Sequence, residues 1–378
     1  MKKSEKPSDL GVVLTGGGAR GAYQAGALHA IAQIAQQSGV ENPFPIISGT
    51  SAGAINATAL AARNHPSVLD TCAELRKLWE NLTTGEIYRT DLWSIARIGA
   101  RWVTELSTGG LVKKKTAGAM LDTAPLRRFL EGKIVFERIG ENLKFGALRS
   151  LAISAVNYST GTSRVFYQTL DNVEPWRRSR RSSERATIRS DHVLASAAIP
   201  VLFPPVRIDG RYFGDGSLRN YAPMSPVIHL GASRVFVVAV RQEEPKSIES
   251  DTQFPSVARI FGVILNAVLL DAIDSDLERL FRINQTVRAH EANSRTLRPV
   301  EVCMIRPSED LGKLALSHIS RLPKVLRHLI SGLGAAEEAS DLVSYLLFEP
   351  PFLKQLADLG FQDTMRDRTK IENFLASV

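Results

Sequence analysis

Two stretches of this chain repeat one local design: a short apolar run, a turn of glycine and other small residues, then a helix-forming segment. The first is VVLTGGGARGAYQAG, residues 12–26. The second begins at PFPIIS, residues 43–48, and passes through GTSAG into AGAINATALAARN. Strands that feed helices through tight turns must be covered by those helices, so this repeat predicts α/β layering around a largely parallel sheet. Leu28, Ile31, Ile34 and Ala35 recur at helical spacing and mark the buried face of the first helix. Further apolar runs at 151–158, 163–167, 234–240 and 300–307 read as strands, and the leucine-rich sequence after Pro307 reads as helices packed on the sheet.

The chain is 378 residues long, 44% hydrophobic and 23% charged, which suits a folded protein with one large core or two ordinary ones. Its net charge of +8 suits an anionic partner such as a phospholipid surface or a nucleic acid. The N-terminus MKKSEKPSDLGVVLTGGG lacks the apolar run of a signal peptide, so a cytoplasmic protein is expected. IFGVILNAVLL, residues 260–270, is about half the ~20 residues needed to span a bilayer and is expected to form a buried helix. Cys72 and Cys303 stand far apart without histidine neighbours, which predicts reduced thiols, no metal site and no cofactor.

Residues 49–53, GTSAG, match G-x-S-x-G with a strand entering and a helix leaving. In that setting Ser51 is held up on a sharp turn. Gly49, Thr50, Ala52 and Gly53 form the rest of the motif, and its small residues let the helix pack close. A serine nucleophile needs a base. None of the seven histidines sits in a recognisable catalytic motif, so a Ser-His-Asp triad and a direct aspartate base both stand open. Two Asp-Gly pairs lie in VRIDGRYFGDGSLRNYAP, residues 206–223. Asp209-Gly210, between VRI and RYF, predicts a two-residue hairpin turn. Asp215-Gly216 follows the second strand, where a carboxylate can either close another turn or project into a pocket.

Gly16, Gly18 and Gly21 satisfy G-x-G-x-x-G, the dinucleotide fingerprint. That reading needs an acidic residue at the end of the second strand, about 20 residues on. Glu41 has the spacing but precedes the strand, which ends instead in Ser48-Gly49-Thr50-Ser51. No G-x-x-x-x-G-K-[ST] follows the first strand either, so the glycines serve an anion of another kind.

Taken together, GGGARG at 16–21, GTSAG at 49–53 and Asp215-Gly216 resemble the three motifs of the patatin-like phospholipase family. ASAAIPVLFPPV at 195–206 and NYAP at 220–223 resemble stretches lining that family's active site. The resemblance covers roughly residues 10–310. It implies a three-layer α/β/α sandwich, with residues 1–9 as a tail, 10–310 as the catalytic domain and 311–378 as a helical C-terminal region. It further implies a lipid acyl hydrolase in which Asp215 takes the proton of Ser51 directly, through an acyl-enzyme. Gly16, Gly17, Gly18, Ala19, Arg20 and Gly21 would form the oxyanion loop, and Gly216 and Ser217 would complete the dyad motif. Ser217 departs from the glycine or alanine usual there and adds a hydroxyl that could bond Asp215 and lower its basicity. The alternative within the same family is a silent binding or scaffold protein.

DLWSIARIGARWVTEL, residues 91–106, with Lys113 to Lys115 following, has an apolar face suited to a core or to an anionic lipid interface. WRRSRRSSER, residues 176–185, reads as a solvated basic loop, and no nucleic-acid fold surrounds it. A lipid ester is thus the expected partner, with transient binding to the inner membrane face and no nucleic acid.

Overall fold

The structure, a computed structural model, describes residues 9–89, 119–243, 254–289, 297–332 and 334–376. The amphipathic stretch 91–106 and the lysines after it lie outside the described residues.

Apolar runs become strands where the sequence places them. β1 (Leu10–Leu14) leads through the glycine turn into helix α1 (Gly21–Gln37), and β2 (Ile46–Thr50) leads through Ser51 into α2 (Ala52–Ala61). β3 (Ser150–Asn157) and β4 (Thr162–Thr169) form a hairpin. β5 (Arg177–Arg178), β6 (Arg181–Arg185), β7 (Val206–Ile208), β8 (Arg211–Asp215), β9 (Arg234–Val238) and β10 (Glu301–Ile305) complete the sheet. The strand order is β10-β9-β1-β2-β3-β4-β6-β5, with β8 on β3 and β7 on β8. The centre, from β10 to β3, is parallel, and the antiparallel pairs lie toward one end. From β1 the chain goes first to β2 on one side and later to β9 on the other. In open α/β sheets, ligand crevices form beyond the carboxyl ends of strands at such a reversal.

All five residues of β1, β2 and β9 are buried, as expected of strands covered on both faces. Leu28, Ile31, Ile34 and Ala35 are fully buried in α1. This helix is held between the sheet and the Pro350–Arg366 helix at very close range: a Cβ on Gly26 would lie 1.9 Å from the Ala357 carbonyl oxygen, and one on Gly360 would lie 2.1 Å from that of Tyr23. Backbone cannot yield as a flexible side chain can. Gly26→Ala is therefore expected to destabilise the protein by about 2–3 kcal/mol, lowering Tm in calorimetry by roughly 5 °C or more.

Asp209-Gly210 joins β7 to β8 with φ of 46° and 82°, the paired positive values of a tight hairpin turn. Two expectations are corrected. Residues 177–185 are solvent-exposed at Arg177, Arg178 and Arg180 as expected, but they form a strand pair at the sheet margin and not a loop, because β6 pairs in parallel with β4, and Trp176 ahead of them is buried, stacked on His229 at 4.6 Å. The 260–270 stretch is not a buried helix throughout: the Val257–Leu269 helix packs on one face only, and Val263 and Ile264 on the other are 62% and 52% exposed. Among the described residues no helix is long and apolar enough to cross a membrane.

Candidate active site

β1 and β2 pair in parallel with Leu14 opposite Gly49, so the glycine loop after β1 and Ser51 after β2 leave the sheet side by side. Ser51 has φ 56° and ψ −127° and stands at the N-cap of α2, 2% exposed. A non-glycine residue in that region costs about 1–3 kcal/mol and persists only where its surroundings impose it. Here its N–H donates to Ser196 Oγ at 2.9 Å, and that hydroxyl donates to the Ser154 carbonyl at 2.6 Å, tying the turn to β3. The motif glycines are sites of close approach. A Cβ on Gly49 would lie 2.3 Å from the Gly53 carbonyl oxygen, and one on Gly53 2.2 Å from that of Leu14. Ala52 is buried in the first turn of α2.

Asp215 reaches Ser51 by sheet register. β4 occupies one edge of β3 along Ser150–Asn157, so β2 and β8 share the other edge. β2 ends there with Thr50 opposite Ser154. β8 comes from the opposite direction and ends with Asp215 opposite Ala155, one register step away. Two strands thus meet head to head, and the residues at their tips share one spot. Gly216 permits the meeting, since a Cβ there would lie 2.1 Å from the Ser154 carbonyl oxygen and 3.0 Å from Thr50 Cγ2. Asn220 Nδ2 donates to Thr50 Oγ1 at 3.1 Å and joins the two chain segments.

Asp215 is fully buried. Its Oδ1 accepts the Ser217 N–H at 2.8 Å, while Oδ2 has no hydrogen-bond partner, and neither has the Ser217 hydroxyl. Ser217 therefore bonds the carboxylate through its backbone N–H, while its hydroxyl lies near enough to favour the charged form without being aligned as a bonded donor. Burial pushes the Asp215 carboxyl up to about 6, opposed by the nearby Ser51 hydroxyl, the Ser217 N–H and the Ser217 hydroxyl. Ser51 is close enough to favour the charged carboxylate but is not aligned on Oδ2 as a bonded donor. Such bonds in free enzymes commonly tighten only when substrate binds. Among the described residues no histidine bonds Ser51 or Asp215. His192, pushed down to about 4 chiefly by burial, accepts the Arg189 N–H at the start of its own helix.

The glycine loop borders Ser51: a Cβ on Gly16 would lie 3.1 Å from Ser51 Cβ and 2.6 Å from Ser217 Oγ. Gly17 leaves room for Val240, and Gly21 for the Trp79 ring. Gly18 has φ 56°, and a Cβ there would lie 2.3 Å from the Tyr345 carbonyl oxygen. The Gly18–Arg20 turn runs directly into α1, and no side chain caps its start. The first N–H groups of such a turn are donors for an anion. Ala19 is fully buried beneath the turn.

Arg20 does not point at Ser51. It is 3% exposed, its Nη2 donates to Asp341 Oδ1 at 2.6 Å, its Nε donates to Ser344 Oγ at 2.8 Å, and it lies over the Tyr345 ring. Asn266 Nδ2 donates to Asp341 Oδ2 at 2.7 Å and completes the clamp. Behind α1, Trp79 donates to Asn56, Asn56 to Gln24 and the Gly21 carbonyl, and Gln24 to the carbonyls of Thr15 and Val238. Neither network is marked by a sequence motif. The partners come from distant segments, and only the polar residues Gln24 and Asn56 inside apolar helices hint at them.

Two clefts open beside Ser51. One is a narrow apolar cleft lined by Ser51 together with Ile55, Trp79, Ile87, Leu126 and Phe203. The other is bounded by Gly16, Thr50, Ser217, Asn220, Leu270 and Ile273.

Sequence comparison matches residues 12–228 to the family described as "Patatin-like phospholipase". The "cGAMP-activated phospholipase" of Pseudomonas aeruginosa (strain BWHPSA011 / Pa011) is 32% identical over 212 residues, 56% of this chain and 53% of that protein. The match spans about half the relative's length. Similar solved structures include VipD from Legionella pneumophila, at 14% identity and TM-score 0.35 over 98% of this chain and 72% of that one. Human GIVD cytosolic phospholipase A2, solved in complex with methyl gamma-linolenyl fluorophosphonate, is 12% identical with TM-score 0.38, covering 98% of this chain and 59% of that one.

Proposed function

Because the chain belongs to the patatin-like phospholipase family, we propose that it hydrolyses the carboxylic esters of phospholipids or related lipids through a Ser51–Asp215 dyad. The observation that carries this reading is the head-on meeting of β2 and β8 on one edge of β3, which brings a serine held at positive φ against a fully buried carboxylate.

In this mechanism the Ser51 hydroxyl proton passes to Asp215 Oδ2 as Oγ bonds the ester carbonyl carbon, and the carbonyl electron pair moves onto oxygen. The N–H groups of Gly17, Gly18 and Ala19 bind that oxyanion, each such donor typically contributing about 10²- to 10³-fold in rate. Collapse expels the alcohol portion of the lipid, which leaves with the proton from Asp215. Water then attacks the acyl-Ser51 ester, its proton going to Asp215 and on to the released serine. A carboxylate is a weaker base than imidazole, and burial compensates by raising Asp215 toward neutrality. The apolar lining of the first cleft suits an acyl chain, and the polar Ser217 and Asn220 of the second suit the glycerol and head-group side. Arg20 acts through the loop it clamps to Asp341 and Ser344, not by touching substrate.

The test is intact-mass labelling with a lipid-like fluorophosphonate, in which Ser51 Oγ would displace fluoride from phosphorus. One adduct is expected. Its rate constant is expected to fall about tenfold per pH unit below an apparent pKa of about 6, since only the ionised Asp215 accepts the proton. No adduct on the folded protein, with or without lipid vesicles, would favour the silent scaffold reading.

A further inference from the structure

The Val257–Leu269 helix has an outer face with nothing polar on it. Val257, Ile260, Val263, Ile264 and Ala267 are all exposed and fall within one arc of about 120° at 100° per residue. Phe254, just ahead of the helix, is 94% exposed. The inner face is fixed by Ala258 and Leu265 in the core and by Asn266, which bonds Asp341 and Tyr345. A surface helix ordinarily turns charged residues outward, and contiguous exposed apolar area on this scale marks an interaction surface.

What covers it follows from its neighbours. The helix packs against the Gly216–Arg219 turn that carries Ser217, and its C-terminal end runs into Leu270, Ala272 and Ile273, which line the same cleft as Gly16, Thr50 and Ser217. The next helix, Ala272–Ala289, starts at that cleft, and Arg279 lies seven residues on, about 10 Å along its axis. Arg181 stands opposite Arg178 across the strand pair and within electrostatic range of Arg279 and Asp276, which pair with each other at 3.5 Å. Asp276 also accepts the Met224 N–H, so the same helix anchors the segment after the dyad. An apolar ridge, cleft-lining residues and a cationic cluster therefore follow one another along two consecutive helices of a chain with net charge +8. That sequence of features matches an anionic bilayer: acyl chains for the ridge, anionic head groups for the arginines, and lipid entering between them.

We propose that the Val257–Leu269 helix and the Arg178/Arg181/Arg279 cluster dock this protein onto an anionic phospholipid bilayer with the Ser51 cleft facing the membrane. The inference rests on the lipid-hydrolase reading for its choice of partner, and it names the surface that delivers substrate. Docking recovers apolar area on the ridge and brings arginines within a Debye length of anionic head groups, so binding depends on both lipid charge and salt.

The experiment is flotation of the full chain with vesicles of phosphatidylglycerol and phosphatidylcholine, or of phosphatidylcholine alone, with hydrolysis of p-nitrophenyl butyrate measured in parallel. Wild type is expected to float with the anionic vesicles and to be released by high salt. The doubly substituted V263E/I264E protein is expected to bind them about tenfold more weakly or worse. R178E/R181E is expected to lose the preference for anionic over zwitterionic vesicles. Both should hydrolyse the soluble ester within about twofold of wild type, because neither pair touches Ser51 or Asp215. The proposal is overturned if wild type binds neither vesicle, if both variants float as wild type does, or if V263E/I264E only converts a dimer to a monomer. Failure of wild type to cleave the soluble ester would instead count against the hydrolase reading, while vesicle binding is still read independently.

Discussion

Ser51→Ala is expected to lower kcat/KM for a lipid ester by about 10⁴-fold or more, to the residue of catalysis left by the oxyanion donors and binding alone. Alanine keeps the Cβ and the backbone of the turn, whose geometry is imposed by the Ser51 N–H bond to Ser196 and by the close packing of Gly49 and Gly53. The loss should therefore appear in kcat, with Tm shifted by no more than about 2 °C. Steady-state kinetics on a fluorogenic phospholipid, with thermal unfolding of the same samples, checks both halves. Retention of a tenth of wild-type activity by the folded variant would remove Ser51 from the chemistry.

Asp215→Asn is expected to lose activity by about 10³-fold or more and yet to be more stable than wild type at neutral pH. Burial raises the folded-state pKa of Asp215 from 3.8 to about 6, so the native protein binds the extra proton between those values. Wild-type stability on this account falls as pH rises through that window, and the cost persists above it. A shift of that size corresponds to roughly 2–3 kcal/mol. Asparagine is neutral at every pH, and its amide oxygen keeps the Ser217 N–H bond that Oδ1 accepts. The variant should melt about 2–5 °C above wild type at pH 8, with the difference vanishing near pH 4. Equal stability at both pH values would mean that the carboxyl is not strained by burial. The serine is likewise held at positive φ, so both proposed reacting groups sit where stability alone would not place them.

The alternation of apolar runs and helical periods in residues 10–61 was enough to foresee β1, α1, β2 and α2, because those signals are local. Glycines at 49 and 53 announced close approach, and the structure supplies the backbone carbonyls they approach. The Asp209-Gly210 hairpin could be read for the same reason: two consecutive positive φ values favour that pair of residue types. The charges of the basic stretch 177–185 rightly suggested solvent but hid its two strands, whose place depends on the free edge of β4. The 260–270 stretch misled in the opposite sense. Its composition is apolar all round, and which face is covered depends on what packs against it.

By itself the sequence determined the strand-turn-helix units and the serine on its turn, because periodicity and the small size and freedom of glycine act over a few neighbouring residues. Only the tertiary structure decided that β8 meets β2 on one edge of β3, and that Arg20 is clamped by Asp341, 321 residues away in the chain. It also decided that an apolar helix face lies open beside the cleft. Those outcomes come from which surfaces bury one another across the whole core, and no short stretch of sequence contains both partners of such a contact.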